Sequence, residues 1–97
     1  MTRVTVKIPT QLHAATDGIG EASVPGDTVG AVLSALGKVY PVLIERIGEP
    51  DGSTYGFEVR RYVNIYVGGE DIHYQNGLET PLDDGDEITI LPAGAGG

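Results

Sequence analysis

Ninety-seven residues suit one compact domain, and 14 acidic against 6 basic side chains give a formal charge of −8. That excess of carboxylates argues against nucleic acid and against an anionic membrane surface, both of which demand concentrated Lys and Arg. With no cysteine there is no disulfide, thiolate zinc site or cysteine nucleophile, and 40% hydrophobic residues suffice for a folded core. The apolar runs are too short to span a bilayer and Met1-Thr2-Arg3-Val4 lacks a signal-peptide core, so a soluble cytoplasmic protein is expected.

In chain order, Val4, Val6 and Ile8 alternate with Thr5 and Lys7 as in a half-buried strand, which Pro9 ends. A longish loop with an Asp17-Gly18 turn leads to a weaker second strand over Ile19 to Val24, forming a hairpin with the first. Pro25-Gly26-Asp27-Thr28 announces a helix, with Asp27 or Thr28 as its cap. Val29, Val32, Leu33, Leu36 and Tyr40 make one apolar stripe on it, and Gly37 predicts a frayed end. Pro41 opens a shorter helix whose Leu43, Ile44 and Ile47 face the core.

Gly48 to Gly56 reads as loop on composition alone. Tyr62 to Val67 is the clearest strand, with Val63, Ile65 and Val67 on one face and Tyr62, Asn64 and Tyr66 on the other. Gly68-Gly69 turns it into a short strand over Glu70 to Tyr74, and a turn-rich stretch plugged by Leu78 and Leu82 precedes a final strand, Glu87 to Leu91. This order predicts an α+β domain over residues 1–91, one main helix and a short second helix packed on a mixed sheet, with a tail over 92–97. The expected core is Val4, Val6, Ile8, Val29, Val32, Leu33, Leu36, Val63, Ile65, Val67, Ile88 and Ile90.

The usual catalytic patterns are missing. His13 and His73 have no metal-ligand spacing and read as exposed polar residues on a loop and an edge strand. Asp83-Asp84-Gly85-Asp86-Glu87 lacks the calcium-loop spacing and reads as a solvated turn capping the last strand. Gly18-Ile19-Gly20 precedes a strand rather than a helix, and no serine lies in a nucleophile-elbow context.

Fifteen glycines are about twice the usual share of roughly 7%. Most mark turns; the rest collect in Pro92-Ala93-Gly94-Ala95-Gly96-Gly97. A tail without bulky side chains can thread a narrow channel and present its carboxylate to an enzyme. A carboxylate becomes an electrophile only when activated, commonly as an anhydride with a nucleotide. A chain without thiols would not attack such a group on itself. A frayed terminus would have the same composition.

The run Leu82 to Gly97, with its acidic-Gly-acidic turn, apolar strand, Pro92 and terminal Gly96-Gly97, resembles the C-terminal signature of the ubiquitin-like sulfur carriers of the MoaD/ThiS family. Asp27-Thr28-Val29 opening a Leu-rich helix, and Val63 to Val67 leading into Glu70-Asp71, are similar too, so the resemblance spans nearly the whole chain. Tyr62 to Val67 and the Leu91 to Gly97 ending look like the actinobacterial CysO-type branch, which serves cysteine biosynthesis.

The resemblance implies a ubiquitin-like β-grasp fold with a flexible Gly-Gly tail, and a protein co-substrate rather than an enzyme. Gly97 would be the sulfur-carrying residue, with Pro92, Ala93, Gly94, Ala95 and Gly96 as the tail behind it. The chain itself would bind no cofactor and no metal; a ubiquitin-activating-enzyme-like adenylyltransferase would spend MgATP on the Gly97 carboxylate. A pyridoxal-phosphate-dependent cysteine synthase-type enzyme would accept the sulfur, and a zinc metallopeptidase would release cysteine. Tyr62, Tyr66, Thr89 and Leu91 fall on the outer sheet face and form a candidate partner patch, although ordinary cross-strand packing would place them alike. The same resemblance leaves open a molybdopterin synthase small subunit, another sulfur-transfer pathway, and a ubiquitin-like interaction module or protein modifier.

Overall fold

The computed structural model describes residues 2–52 and 54–92. A five-stranded mixed sheet is built from β1 (Arg3–Lys7), β2 (Glu21–Pro25), β5 (Val63–Val67), β6 (Glu70–Asp71) and β7 (Glu87–Pro92). Its spatial order is β2-β1-β7-β5-β6, so the last strand lies at the centre. Strand β7 runs parallel to β1, with Val6 beside Ile88, and antiparallel to β5, with Ile65 beside Ile90. This is the expected mixed sheet of a β-grasp domain, with helices on one face.

Alternation decides which face is covered: Val4, Val6, Val63, Ile65, Ile88 and Ile90 point inward and are buried. Helix α1 (Val29–Val39) lays Val29, Val32, Leu33 and Leu36 against them, and α2 (Pro41–Ile47) adds Leu43 and Ile47. Of the expected core only Val67 is half-buried. Leu12, Val24, Phe57 and Ile72 join the core without having been expected there.

Thr28 is the cap of α1: its hydroxyl accepts the Ala31 N–H at 3.2 Å, and Tyr55 Oη lies 2.9 Å from the same oxygen. The expected fraying at Gly37 does not occur, since α1 continues to Val39. The glycine is there for packing, because a Cβ on Gly37 would overlap Ile44 Cγ1 of α2. Gly30 meets the Tyr55 ring in the same manner.

Three stretches differ from expectation. The loop after β1 contains a 3₁₀ helix, Thr10–Thr16, that buries Leu12 and Thr16. Thr16 Oγ1 donates to the Ile19 carbonyl at 2.8 Å, so the buried hydroxyl is satisfied. The stretch read as loop, Gly48 to Gly56, is the first strand and the turn of a hairpin between β3 (Gly48–Pro50) and β4 (Phe57–Val59), anchored by buried Phe57 packed over Gly48. Glu49 and Glu58 face each other across it, a like-charge pair offset by Arg60 bonding Glu49 at 2.8 Å. The strand expected over Glu70 to Tyr74 stops at Asp71 and becomes a 3₁₀ turn, Ile72–Tyr74, because the Asp71 carboxylate accepts the His73 N–H at 2.8 Å.

The acidic turn before β7 does cap it, and it also binds the start of the chain. The Arg3 N–H donates to Asp84 Oδ1 at 2.9 Å, the Gly85 N–H donates to the Arg3 carbonyl at 2.9 Å, and Gly85 takes φ +90°. The Asp83 N–H donates to Asp86 Oδ2 at 2.8 Å. Among the described residues no helix is long and apolar enough to cross a membrane.

Packing at Gly37 gives a test against helix propensity. Alanine is the better helix former by about 1 kcal/mol, yet its methyl would strike the stem of a β-branched side chain that cannot swing aside. Gly37→Ala is expected to lower the melting temperature by several degrees in a thermal unfolding scan; a rise would refute the packing account.

Candidate functional site

The candidate site is the end of the sheet from which the tail leaves, with the outer face beside it. Strand β7 is a middle strand up to Thr89, which lies beside Lys7 of β1 and Tyr66 of β5. Beyond that point β1 offers no further partner: Pro9 lacks an N–H and the chain turns away into Thr10–Thr16. Among the described residues Leu91 and Pro92 are therefore paired on one side only, with Asn64 and Val63 of β5. The strand extends one residue further than expected, taking in Pro92. Ala93, Gly94, Ala95, Gly96 and Gly97 lie outside the described residues.

On the outer face Tyr66 and Thr89 are directly opposed and both half-buried. Leu91, 45% exposed, is opposite Asn64, a residue that alternation put on this face but that was not singled out. Tyr62, 55% exposed, precedes β5 in a turn whose closing bond runs from the Val63 N–H to the Arg60 carbonyl at 3.0 Å. The two tyrosines are four residues apart along the chain, about 13 Å at strand spacing. They therefore make no ring pair, and Tyr62, outside the strand, lines a groove with Val63 at the entry to β5. Lys7 borders the outer face with Glu21 at 3.6 Å and Glu87 at 3.9 Å, exposed pairs that contribute little and leave the border net negative.

Neither histidine acts as a ligand in a cluster, and the described residues contain no group of three potential metal ligands. His13 is half-buried rather than exposed, its Nε2 3.0 Å from the Ile8 carbonyl and its ring against Gly20. His73 is exposed, on the 3₁₀ turn rather than a strand, with Nδ1 3.1 Å from Asp71 Oδ1. The backbone N–H of His73 holds the Asp71 carboxyl below the ordinary 3.8 against the opposing effect of desolvation, and the His73 ring adds a lesser lowering contribution.

The sequence matches the ThiS family over residues 6–97. The chain belongs to that family. It is 49% identical to the sulfur carrier protein CysO of Mycobacterium tuberculosis over 94 residues, covering 97% of this chain and 98% of that one. Among solved structures it resembles a chain of the BexX/CysO complex of Amycolatopsis orientalis, with TM-score 0.85 and 35% identity over 97% of this chain and 99% of the other. It also resembles small archaeal modifier protein 1 of Methanosarcina acetivorans, with TM-score 0.84 and 37% identity over 100% and 98%. These neighbours share the ubiquitin-like β-grasp fold that the strand order shows. The chain is thus a homologue of CysO-type sulfur carriers, a family of small protein substrates rather than catalysts.

The Asp71 cap carries a pH signature. Because its folded-state pKa is depressed, its stabilisation is full above the ordinary aspartate value and is lost as pH falls through the lower folded one. Side-chain carboxyl NMR should give Asp71 a midpoint below 3.8; a midpoint at or above it would contradict the cap.

Proposed function

We propose that this chain is a sulfur carrier whose Gly97 carboxylate is adenylated and then converted to a thiocarboxylate that donates sulfur in cysteine biosynthesis. The observation that carries the reading is 49% identity across 97% of the chain to a protein named as sulfur carrier CysO. The architecture suits the role. A strand held in the middle of the sheet supplies a fixed base, and a side-chain-poor tail supplies reach.

In this reading a carboxylate oxygen of Gly97 attacks the α-phosphorus of MgATP in a ubiquitin-activating-enzyme-like adenylyltransferase, and pyrophosphate leaves. A sulfide equivalent then displaces AMP to leave –COS⁻. MgATP belongs to that partner's reaction, and the carrier contributes the carboxylate and the surface by which it is held. A pyridoxal-phosphate-dependent cysteine synthase-type enzyme receives the sulfur, and a zinc metallopeptidase frees the product from the carrier. Tyr62, Tyr66, Thr89 and Leu91 form the docking surface, with Tyr62 and Leu91 exposed and Tyr66 and Thr89 half-buried between them, leading to the tail. The overall charge of −8 favours partners whose active sites are ringed by basic residues.

A second reading, a protein modifier joined to lysine through Gly97, is favoured by the likeness to small archaeal modifier protein 1. Both readings use the same activated carboxylate, and they part at the acceptor.

Incubation with a cognate adenylyltransferase, MgATP and a sulfide source should give the mass gain of one sulfur replacing one oxygen, lost on deletion of Gly97. An unchanged mass sinks the carrier reading, and adducts on lysines of other proteins support the modifier. Leu91→Asp, which places a charge in the docking surface, should weaken partner binding at least tenfold in calorimetry. Binding unchanged by that substitution would remove this surface from the interface.

A further inference from the structure

The six cations of this acidic chain are unevenly engaged. Arg3 bonds Ser23 at the far end of the sheet. Lys7 is flanked by Glu21 and Glu87. Arg60 donates to the Glu45 carbonyl and the Glu49 carboxylate. Among the described residues Lys38, Arg46 and Arg61 form neither an ion pair nor a side-chain hydrogen bond, and all three are exposed. Of these, Arg46 and Arg61 belong to the end of the molecule from which the tail leaves. Arg46 is in the last turn of α2, and Arg61 precedes Tyr62 in the turn entering β5.

Between these two turns and the 3₁₀ helix after β1 lies a groove of about 200 Å³. Its floor is apolar, made by Leu12, Ile47 and Val63, and its rim carries Gln11, Arg46 and Tyr62. Val63 is also the residue that pairs with Pro92, so the groove opens beside the strand end that delivers the tail. Among the described residues no carboxylate lines it.

Resting on the carrier reading above, we propose that this groove docks an acidic segment of the adenylyltransferase that receives the tail, a stretch in which carboxylates flank one apolar side chain. The apolar residue fills the space over Leu12, Ile47 and Val63. The carboxylates meet the guanidinium group of Arg46 on the rim and that of Arg61 in the adjoining turn, which among the described residues hold no internal partner that would have to be displaced. Charge complementarity selects the occupant: elsewhere the chain's net −8 repels an acidic segment, and here the local sign reverses. An acidic contact at the tail exit, against a basic surround facing the rest of the carrier, fixes the rotation of the carrier about its tail. That sets which face of the acyl group is presented.

The test uses the full chain and the adenylyltransferase that thiocarboxylates it. Arg46→Glu with Arg61→Glu should raise Kd at least thirtyfold and flatten the dependence of association rate on salt. Lys38→Glu, a charge reversal on the helical side, should stay within twofold. Changing acidic residues of the enzyme to lysine should restore binding to the doubly reversed carrier. A double variant that binds within twofold of wild type, or tighter, overturns the groove while the thiocarboxylate mass gain upholds the carrier reading. A wild-type chain that gains no sulfur overturns both.

Discussion

The structure depends on the parallel pairing of the first and last strands. Thr5, Val6 and Lys7 lie beside Glu87, Ile88 and Thr89, residues more than eighty positions away. Closing so long a connection costs entropy that grows slowly with length, but it must be offset by contacts made only at the end. Two sets of contacts do so. Val6 and Ile88 are completely buried in the core, and the acidic turn ties Asp84 and Gly85 to both backbone groups of Arg3. A third bond, from the Thr5 N–H to the Asp86 carbonyl at 3.0 Å, continues the clamp into the ladder.

That arrangement makes the fold and the proposed function one problem. The strand that leads into the tail is the central strand, flanked by β1 and β5, so its end is positioned by the whole core. Pairing on the β1 side ceases where Pro9 and the 3₁₀ helix turn away, and only β5 accompanies the chain to Pro92. The outer face carries Tyr66, Thr89 and Leu91, while the end of the sheet carries the groove rimmed by Gln11, Arg46 and Tyr62. The two surfaces differ in chemistry, which suits a carrier that must be seated in a single orientation.

Much of this was legible in the sequence because alternation and helical spacing report directly on burial. Val4, Val6 and Ile8, Val63 and Ile65, and Ile88 with Ile90 read correctly, as did the second helix after Pro41, and of the two candidate caps, Asp27 and Thr28, the structure uses Thr28. What escaped is held by tertiary contacts. Gly48 to Gly56 has the composition of a loop, and its hairpin exists because Phe57 enters the core and Tyr55 reaches Thr28 on α1. Gly37 looked like a weak point in a helix, whereas its missing side chain makes room for Ile44. Tyr66 and Thr89 could be put on one face by counting residues, but Tyr62 could not be assigned to a turn. The groove could not be foreseen at all, since residues 11–12, 46–47 and 62–63 meet only after folding and ion pairing is invisible in a charge count.

Native-state hydrogen exchange tests the central claim, that the strand leading to the tail is locked into the core through β1. The amides of Ile88 and Ile90 should exchange only by global unfolding, at the same free energy as the Val4 and Val6 amides. Exchange of Ile88 and Ile90 through a lower-energy opening, with Val4 and Val6 still protected, would show that β7 detaches on its own and would contradict the account.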